Sequence, residues 1–550
     1  MIRERIEQSV GDALKSLGAE VSFVIERPGS MEHGDYATNA ALVAGKRLKK
    51  NPKEIAGALA KELEGKIPGV EKIEVAGAGF INFFLSHEAV TQEIHAAAEN
   101  KEWGKNELYK NKKVMVEYTD PNPFKEFHIG HLMSNAIGES IARVLEHSGA
   151  GVARANYQGD VGPHVAKAIW GKLQKPEASW GEAYVYGSEQ YEAHKDEIDA
   201  INKKVYDKND PQIHELYEAG RKESLEHFEE LYRILGTTFT YYFFESETSA
   251  IGLELVKNNK NIFEESDGAV VFRGENHGLH TRVFINSLGL PTYEAKDLGL
   301  LKLKSQKENV EESITVTANE QNEYFKVVLA AAKEIPDIQA IANKTKHISH
   351  GMMRFASGKM SSRRGNVVTG ESLLMDLKEA AKEKMQGREV VDTEKIAEQV
   401  AVGAIKYTVL KQGSGKDIVF DPEKSLSIEG DSGPYLQYAH TRALSLMREA
   451  GKAGIVAALQ PDAQAPQQRT ALERLLVHFP DVVLHAAQEL EPHYITTYLT
   501  ELASVFNSWY ASERVIDGSN PPYALLLVEA VEQTLAKGLK GLGIPAPEEM

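Results

Sequence analysis

The 550-residue sequence contains no cysteine, which excludes disulfide bridges, thiolate zinc sites and a cysteine nucleophile. No stretch approaches the ~18–20 consecutive apolar residues that cross a bilayer, so no membrane partner is expected. The N-terminus, Met1-Ile2-Arg3-Glu4-Arg5-Ile6-Glu7, lacks both the apolar segment of a secretory signal and the Arg-rich, acid-poor character of a transit peptide; a cytoplasmic protein is expected. There is no internal repeat. The 18 histidines show no metal-ligand spacing, so no resident metal is predicted. An excess of positive charge is missing too. With 80 acidic and 63 basic residues the net charge is −17, a field that repels polyanions at long range. Local composition departs from that average: Lys46, Arg47, Lys49, Lys50 and Lys53 fall in a segment without an acid, and Lys110, Lys112 and Lys113 form a second cluster. Local basic patches on an acidic body suit a shaped RNA better than bulk polyanion.

The length implies three or four domains, and 42% apolar residues suffice for sizeable cores. Residues 1–105 read as a small α+β domain, with helical patterns near 2–17 and 51–65 and strand-like pieces at Val21-Ser22-Phe23-Val24-Ile25 and Phe80-Ile81-Asn82-Phe83-Phe84. A nucleotide-binding domain is expected over 106–395. It is split by a polar helical insertion at about 175–260, which precedes the strands Ala269-Val270-Val271-Phe272 and Ser313-Ile314-Thr315-Val316. Residues 396–550 read as helical almost throughout, with a surface loop from Ala457 to Gln468. The fold class is therefore multidomain α/β: a Rossmann-type parallel-sheet domain, an α+β N-terminal domain and an all-α C-terminal domain.

The most informative residues are His128-Ile129-Gly130-His131. They follow the apolar run Val114-Met115-Val116, which ends in Glu117-Tyr118 and reads as a buried parallel strand. They precede a helical pattern in which Met133, Ile137, Ile141, Val144 and Leu145 share a face, ending near Gly149 and Gly151. Strand, loop and a Gly-His helix start is how an open α/β sheet presents a phosphate site. Far downstream, Gly358-Lys359-Met360-Ser361-Ser362-Arg363-Arg364-Gly365 is a compact cationic loop suited to closing over a polyphosphate.

In this order the two segments resemble the signature pair of class I aminoacyl-tRNA synthetases, H-I-G-H followed by K-M-S-K-S. Between them, Tyr293 and Asp297 stand at i and i+4 on one helix face. A carboxylate beside an aromatic plane is the pairing a guanidinium wants, and Glu117 adds a second anion above the sheet. Here the resemblance narrows to the arginyl-tRNA synthetases. Glu117-Tyr118-Thr119-Asp120-Pro121-Asn122-Pro123-Phe124-Lys125 is similar to that family's stretch before H-I-G-H, and Thr292-Tyr293-Glu294-Ala295-Lys296-Asp297 to its amino-acid-specificity helix. Gly433-Pro434-Tyr435-Leu436-Gln437-Tyr438-Ala439-His440-Thr441-Arg442 is similar to the start of its anticodon-binding domain. The resemblance covers nearly the whole chain.

It implies ATP-dependent ligation of L-arginine to tRNA(Arg) through an arginyl-adenylate. Glu117, Asn122, Tyr293, Asp297 and Gln321 would hold arginine. His128, Gly130, His131, Lys359, Met360, Ser361, Ser362 and Arg363 would hold ATP and its Mg²⁺, with His128, His131, Lys125 and Lys359 as the catalytic groups. Phe80 and Asn82 would meet the tRNA elbow, and Tyr435, Tyr438 and Tyr510 the anticodon. A monomer is expected. Arginine fits the lack of a large insertion, because a site built for a polar substrate can reject competitors by ~10⁴–10⁵-fold without an editing domain. The sequence departs from the family where the second lysine of K-M-S-K-S is Ser362 here, and Lys125, three residues before His128, is placed to supply the missing ammonium. The rival readings are a non-catalytic tRNA-binding paralogue, which should have lost a signature histidine or the guanidinium carboxylate, and another class I adenylate-forming ligase, which has little use for the N- and C-terminal domains.

Overall fold

The computed structural model describes residues 2–356, 368–387, 391–458 and 470–550. The chain divides into two compact units, each assembled from distant segments. Residues 1–106, 438–485 and 497–538 form one; residues 107–437, 486–496 and 539–550 form the other. Among the described residues no helix is long and apolar enough to cross a membrane.

The larger unit is built on five parallel strands in the spatial order Thr345–His350, Glu312–Ala318, Lys113–Glu117, Gly151–Gln158 and Tyr241–Phe244. The strand that comes first in sequence is central, and its Val114, Met115 and Val116 are fully buried, as a parallel strand covered on both faces requires. Later strands add first on one side and then on the other. The order therefore reverses between Lys113–Glu117 and Glu312–Ala318, which opens a crevice at their C-terminal ends.

The helix Ile129–His147 follows the central strand with His128 as its extended N-cap. Met133, Ile137, Ile141, Val144 and Leu145 are buried as their spacing predicts, but so are Ser134, Asn135, Glu139 and Ser140 on the polar side. That side is satisfied by hydrogen bonds: Ser134 Oγ donates to the Val316 carbonyl at 2.8 Å, and Glu139 accepts from Arg143 Nε at 2.6 Å, from Arg154 Nε at 3.0 Å and from the Tyr118 hydroxyl. Gly138 is required here, since a Cβ would lie 2.3 Å from the Tyr118 ring.

The stretch expected as a helical insertion contains the helices Trp180–Glu189, Lys195–Asp207 and Pro211–Leu235, but it also returns to the sheet at Tyr241–Phe244. Four consecutive aromatics on an edge strand carry no period-2 signal, which hid the strand inside polar sequence. Ala269–Phe272, expected as a later strand of the nucleotide-binding domain, centres a separate antiparallel sheet between Glu264–Ser266 and Arg282–Ile285.

The segment 539–550 is fastened within this larger unit by hydrogen bonds to its carbonyls, the chief of them from a buried lysine. The Lys406 ammonium, 1% exposed, donates to the Leu235 carbonyl at 2.6 Å and the Gly543 carbonyl at 2.8 Å, and burial lowers its pKa to about 7. Arg143 and Ser140, on the helix Ile129–His147, reach the carbonyls of Lys540 and Gly541.

The smaller unit carries an antiparallel sheet in the order Ile25–Glu26, Tyr36–Thr38, Phe80–Leu85, Val70–Ala76. The strand expected over Val21–Ile25 shrinks to Ile25–Glu26, because Val24 is turned to solvent and its N–H is taken by Asn39 Oδ1. Ile81, Phe83 and Leu85 form the core face of the Phe80–Leu85 strand. The helices Ile2–Ser16 and Pro52–Leu63 match the periodic segments, the second opened by Pro52 in its first turn and by Asn51 capping the Lys53 N–H. C-terminal helices complete the same unit: the Tyr36 hydroxyl donates to Asp481 at 2.7 Å, Arg27 clasps both oxygens of Glu501, and Trp103 Nε1 donates to Thr534.

Candidate active site

The crevice at the strand reversal is a cavity of about 600 Å³. His128, Gly130 and His131 line it together with Glu117, Asn122, Tyr293, Asp297 and Gln321, so groups spread over two hundred residues of sequence share one space. Lys125 lies outside that lining, its ammonium 5.1 Å from the ring centre of Tyr184. Lys359, Met360, Ser361, Ser362 and Arg363 lie outside the described residues. The helix that follows them, Gly370–Lys384, starts against the first motif: the Gly370 N–H donates to the Phe127 carbonyl at 2.8 Å.

The loop leading into the histidines is bent to an unusual degree. Thr119, Asp120 and Phe124 have φ of 80°, 50° and 69°, a left-handed region that costs ~1–3 kcal/mol for such residues unless neighbours hold it. Neighbours do hold it. The Thr119 N–H donates to Ser134 Oγ, Asn135 donates to Thr119 Oγ1, the Tyr157 N–H donates to Asp120, and the Phe124 N–H donates to Ser224 Oγ.

On the phosphate side the rings of His128 and His131 are stacked at 3.4 Å between centroids. The His128 N–H donates to His131 Nδ1 at 3.1 Å, so that nitrogen carries no proton and the neutral ring presents Nε2–H as a donor. Burial lowers the pKa of both rings, and the Lys125 charge lowers them further. They are neutral donors at pH 7, aligned with the free N–H groups of the helix start. Gly130 leaves room for this stack, since a Cβ there would lie 3.0 Å from His128 Cε1. His350 joins the lining from the outer strand; its Nδ1 donates to the Gly351 carbonyl, which leaves Nε2 as an acceptor.

On the opposite side the carboxylates are not equivalent. Glu117, expected as a second anion above the sheet, is ion-paired to the Lys304 ammonium at 2.7 Å, both side chains being almost fully buried. A carboxylate at that depth needs a counterion. Asp297 accepts from the Tyr324 hydroxyl at 2.7 Å, and burial, reinforced by Glu117 and Glu245, holds its pKa up at about 7. Lys296, one residue away, pairs with buried Glu245 at 2.6 Å and stands 5.1 Å over the Tyr293 ring. Tyr293 itself is 59% exposed and forms the rim. Asn122 Oδ1 accepts from the Gly159 N–H at 2.9 Å, which orients its amide NH₂. Gln321 is exposed at the cavity edge.

Sequence reasoning missed Lys304, Tyr324, Lys296 with Glu245, and His350. Only Lys304 had a signal: it stands on the helix face that carries Tyr293 and Asp297, at i+11 from Tyr293.

The residues assigned to RNA fall in different settings. Phe80 is half-buried at the start of its strand. Asn82, expected to read a base edge, is only 4% exposed, held mid-sheet between Ala37 and Glu74. Tyr438 and Tyr510 both flank the Arg442 guanidinium, at 4.8 and 5.7 Å, and Asn507 accepts from Arg442. Tyr435 is half-buried in the other unit.

Comparison with known proteins matches most of the chain to three family models: the catalytic domain of class I tRNA synthetases (R) over residues 93–422, the DALR anticodon binding domain over 436–550 and the arginyl tRNA synthetase N terminal domain over 1–85. The chain is 32% identical to an arginine–tRNA ligase of Enterococcus faecalis over 96% of each sequence, and 32% identical to one of Fusobacterium nucleatum over 94% of this chain and 93% of that one. Among solved structures, the arginyl-tRNA synthetase of Thermus thermophilus superposes with a TM-score of 0.79 at 28% identity over all of both chains.

Proposed function

The chain belongs to the arginyl-tRNA synthetases and is an arginine–tRNA ligase, and on that premise we propose how the residues of the crevice divide the work. Glu117, Asn122, Tyr293, Asp297 and Gln321 take arginine. Asp297 supplies the carboxylate fork and Tyr293 the stacking plane for the guanidinium, while Glu117, steadied by Lys304, and the Asn122 amide bind its polar groups. His128, Gly130 and His131 take the phosphates of ATP. The observation that carries this reading is the shared cavity: a stacked neutral histidine pair at a helix start faces a carboxylate wall that includes Asp297.

Activation begins when the arginine carboxylate attacks the α-phosphorus of ATP. The bond to pyrophosphate breaks and arginyl-adenylate forms. The nucleophile is already ionised, so no general base is needed; the protein aligns the groups and donates hydrogen bonds to charge developing on phosphate oxygens. His131 Nε2–H is oriented for that task. A terminal ribose hydroxyl of tRNA then attacks the adenylate carbonyl, AMP leaves, and the ester is released. Efficient activation with tRNA already bound is part of the same reading.

Lys359, Met360, Ser361, Ser362 and Arg363 close over the phosphates in this account, and Lys125 supplies the cation that Ser362 does not. Support for Lys125 is electrostatic: its charge depresses both signature histidines. Among the described residues no three His, Asp or Glu side chains form a metal-binding group, and we assign Mg²⁺ to the ATP substrate. Phe80 is assigned to the tRNA elbow. Tyr438 and Tyr510, with Arg442 between them, make a platform on which an unstacked anticodon base can lie, with Tyr435 nearby in sequence. One chain carries both halves of the cavity, which supports a monomeric enzyme. Attachment of radiolabelled amino acids to total tRNA, tested one at a time, decides the function: arginine alone should be incorporated, and charging of lysine or glutamine instead would overturn it.

A further inference from the structure

Glycine is a poor helix former, yet Gly370 is the first residue of the helix Gly370–Lys384. Lack of space accounts for it. A Cβ there would lie 2.9 Å from the His128 carbonyl oxygen, 3.0 Å from Phe127 Cδ1 and 3.1 Å from the Phe127 carbonyl oxygen. The backbone of this helix start is thus pressed against the backbone of the histidine motif. The first N–H groups of a helix have no partner within it, and the Gly370 N–H finds one in the Phe127 carbonyl at 2.8 Å.

That carbonyl belongs to the peptide unit whose other end is the His128 N–H, the donor to His131 Nδ1 at 3.1 Å. One planar, conjugated amide therefore links two hydrogen bonds. Its oxygen accepts from Gly370, and its N–H fixes the tautomer of His131. Hydrogen bonds in such a series reinforce one another. Electron density drawn to the oxygen makes the N–H a better donor, and a hydrogen bond received at Nδ1 makes the Nε2–H of the same ring a better donor in turn. His131, at the far end of the series, lines the cavity. The near end is held on three sides. The Ser372 N–H donates to Thr369 Oγ1 at 2.9 Å while the Thr369 N–H donates to Ser372 Oγ at 3.0 Å, a reciprocal cap. Leu373, Leu374 and Leu377 share a core with Phe127, Leu132 and Phe228. Glu371 accepts from His227 Nε2 at 2.9 Å.

We propose that Gly370 is a positioning residue for adenylate formation: its N–H, acting through the Phe127–His128 peptide, holds the His131 ring in the tautomer and orientation that donate to the phosphates of ATP. This rests on the assignment of His131 to ATP. Gly370 touches no substrate. Its contribution is an N–H at the right distance, which a residue with a side chain could not bring so close.

Two variants separate the N–H from the space. Replacing Gly370 by glycolic acid, through suppression of a stop codon in cell-free synthesis, exchanges the N–H for an ester oxygen and adds no side chain. Gly370→Ala keeps the N–H but pushes the helix start back by about half an ångström to reach ordinary contact. Each full-length protein is checked for folding by circular dichroism and assayed by arginine-dependent ATP–pyrophosphate exchange at saturating tRNA. Misplacement on the ångström scale can cost ~10²-fold, so each variant should lose about tenfold in kcat while the KM for arginine stays within about twofold. NMR of ¹⁵N-labelled histidine supplies a readout that a merely structural role would not move. The His131 nitrogens, assigned by their loss in His131→Asn, should show Nδ1 unprotonated and Nε2 protonated in the parent, and an average of the two tautomers in the ester protein. Parental His131 signals in the ester protein would overturn the proposal whatever its rate, and so would a loss of kcat confined to Gly370→Ala. His131→Asn distinguishes the proposal from the assignment beneath it. Slow exchange in that variant beside a parental ester protein overturns the positioning role and leaves the phosphate assignment standing, whereas parental exchange in His131→Asn overturns both.

Discussion

Asp297 has a pKa of about 7 in the free protein, raised chiefly by burial, and arginine must find it ionised to be held by a charge-assisted fork. Binding should therefore release a proton wherever the free carboxyl is protonated. For a group with that pKa the apparent dissociation constant scales as one plus the protonated-to-ionised ratio, giving a penalty of about elevenfold at pH 6, about twofold at pH 7 and almost none at pH 8. Affinity for arginine should thus rise about tenfold from pH 6 to pH 8. Calorimetry in buffers of different ionisation enthalpy should find close to one proton released per arginine bound at pH 6 and close to none at pH 8. Burial lowers both His128 and His131 from the usual histidine range, which moves their titration away from the pH 7–8 part of this span. Asp297→Asn, which keeps the shape, should abolish the pH dependence and weaken arginine by about 3–5 kcal/mol at pH 8, the order for a charge that loses its buried partner. Stability carries the opposite sign. The folded carboxyl titrates above its unfolded value, so the free protein loses stability as pH rises from about 4 through about 7, and Asp297→Asn should raise Tm at pH 8 but not at pH 4. Arginine affinity that is flat between pH 6 and 8, with no proton release, would refute the reasoning.

Lys125→Ala should slow tRNA-dependent activation by about 10²–10³-fold with little change in arginine binding, and adding Ser362→Lys should restore part of the loss; near-parental turnover in the single variant would make Lys125 a solvated loop residue. Lys304→Met should destabilise the fold by about 3–5 kcal/mol in urea titrations by leaving Glu117 buried and unpaired. The double variant with Glu117→Gln should regain most of that stability yet stay defective for arginine, and a stable single variant would show that the pair is dispensable. Phe80→Ala should raise the KM for tRNA while arginine kinetics at saturating tRNA hold; loss of folded protein would assign Phe80 to the core.

The sequence made the strand–loop–helix around His128 and His131 legible because each part has a local signature: a continuous apolar strand, a glycine beside a histidine, and a helical stripe beyond. Tyr293 and Asp297 were legible for the same reason, being neighbours on one helix. The counterion of Glu117 was harder, since Lys304 reaches it only through the packing of a helix against the central strand, although its position on the Asp297 face was a clue. Tyr324 had no clue at all, because its hydroxyl meets Asp297 from another helix. Asn82 shows the converse limit. An amide in a strand reads as a surface contact by type, and only its place between two neighbouring strands reveals that it is enclosed. Tyr241–Phe244 was lost in a polar stretch because an edge strand of aromatics has no alternation to detect.

The fastening of Gly543 by Lys406 bears on how the protein is made. Synthesis runs from the N-terminus, so residues 107–437 leave the ribosome about a hundred residues before the 539–550 segment that completes their unit. Until then the Lys406 ammonium lacks one of its two carbonyls, and an unmet buried cation is the kind of defect that keeps a nascent domain open. The smaller unit waits longer still, because Tyr36 needs Asp481 and Arg27 needs Glu501. Neither unit can finish co-translationally from one end. Both must close late, over long loops, which is slow and exposes apolar surface meanwhile. A gene split between residues 437 and 438 would therefore yield two pieces that need each other, rather than a catalytic half and a tRNA-binding half.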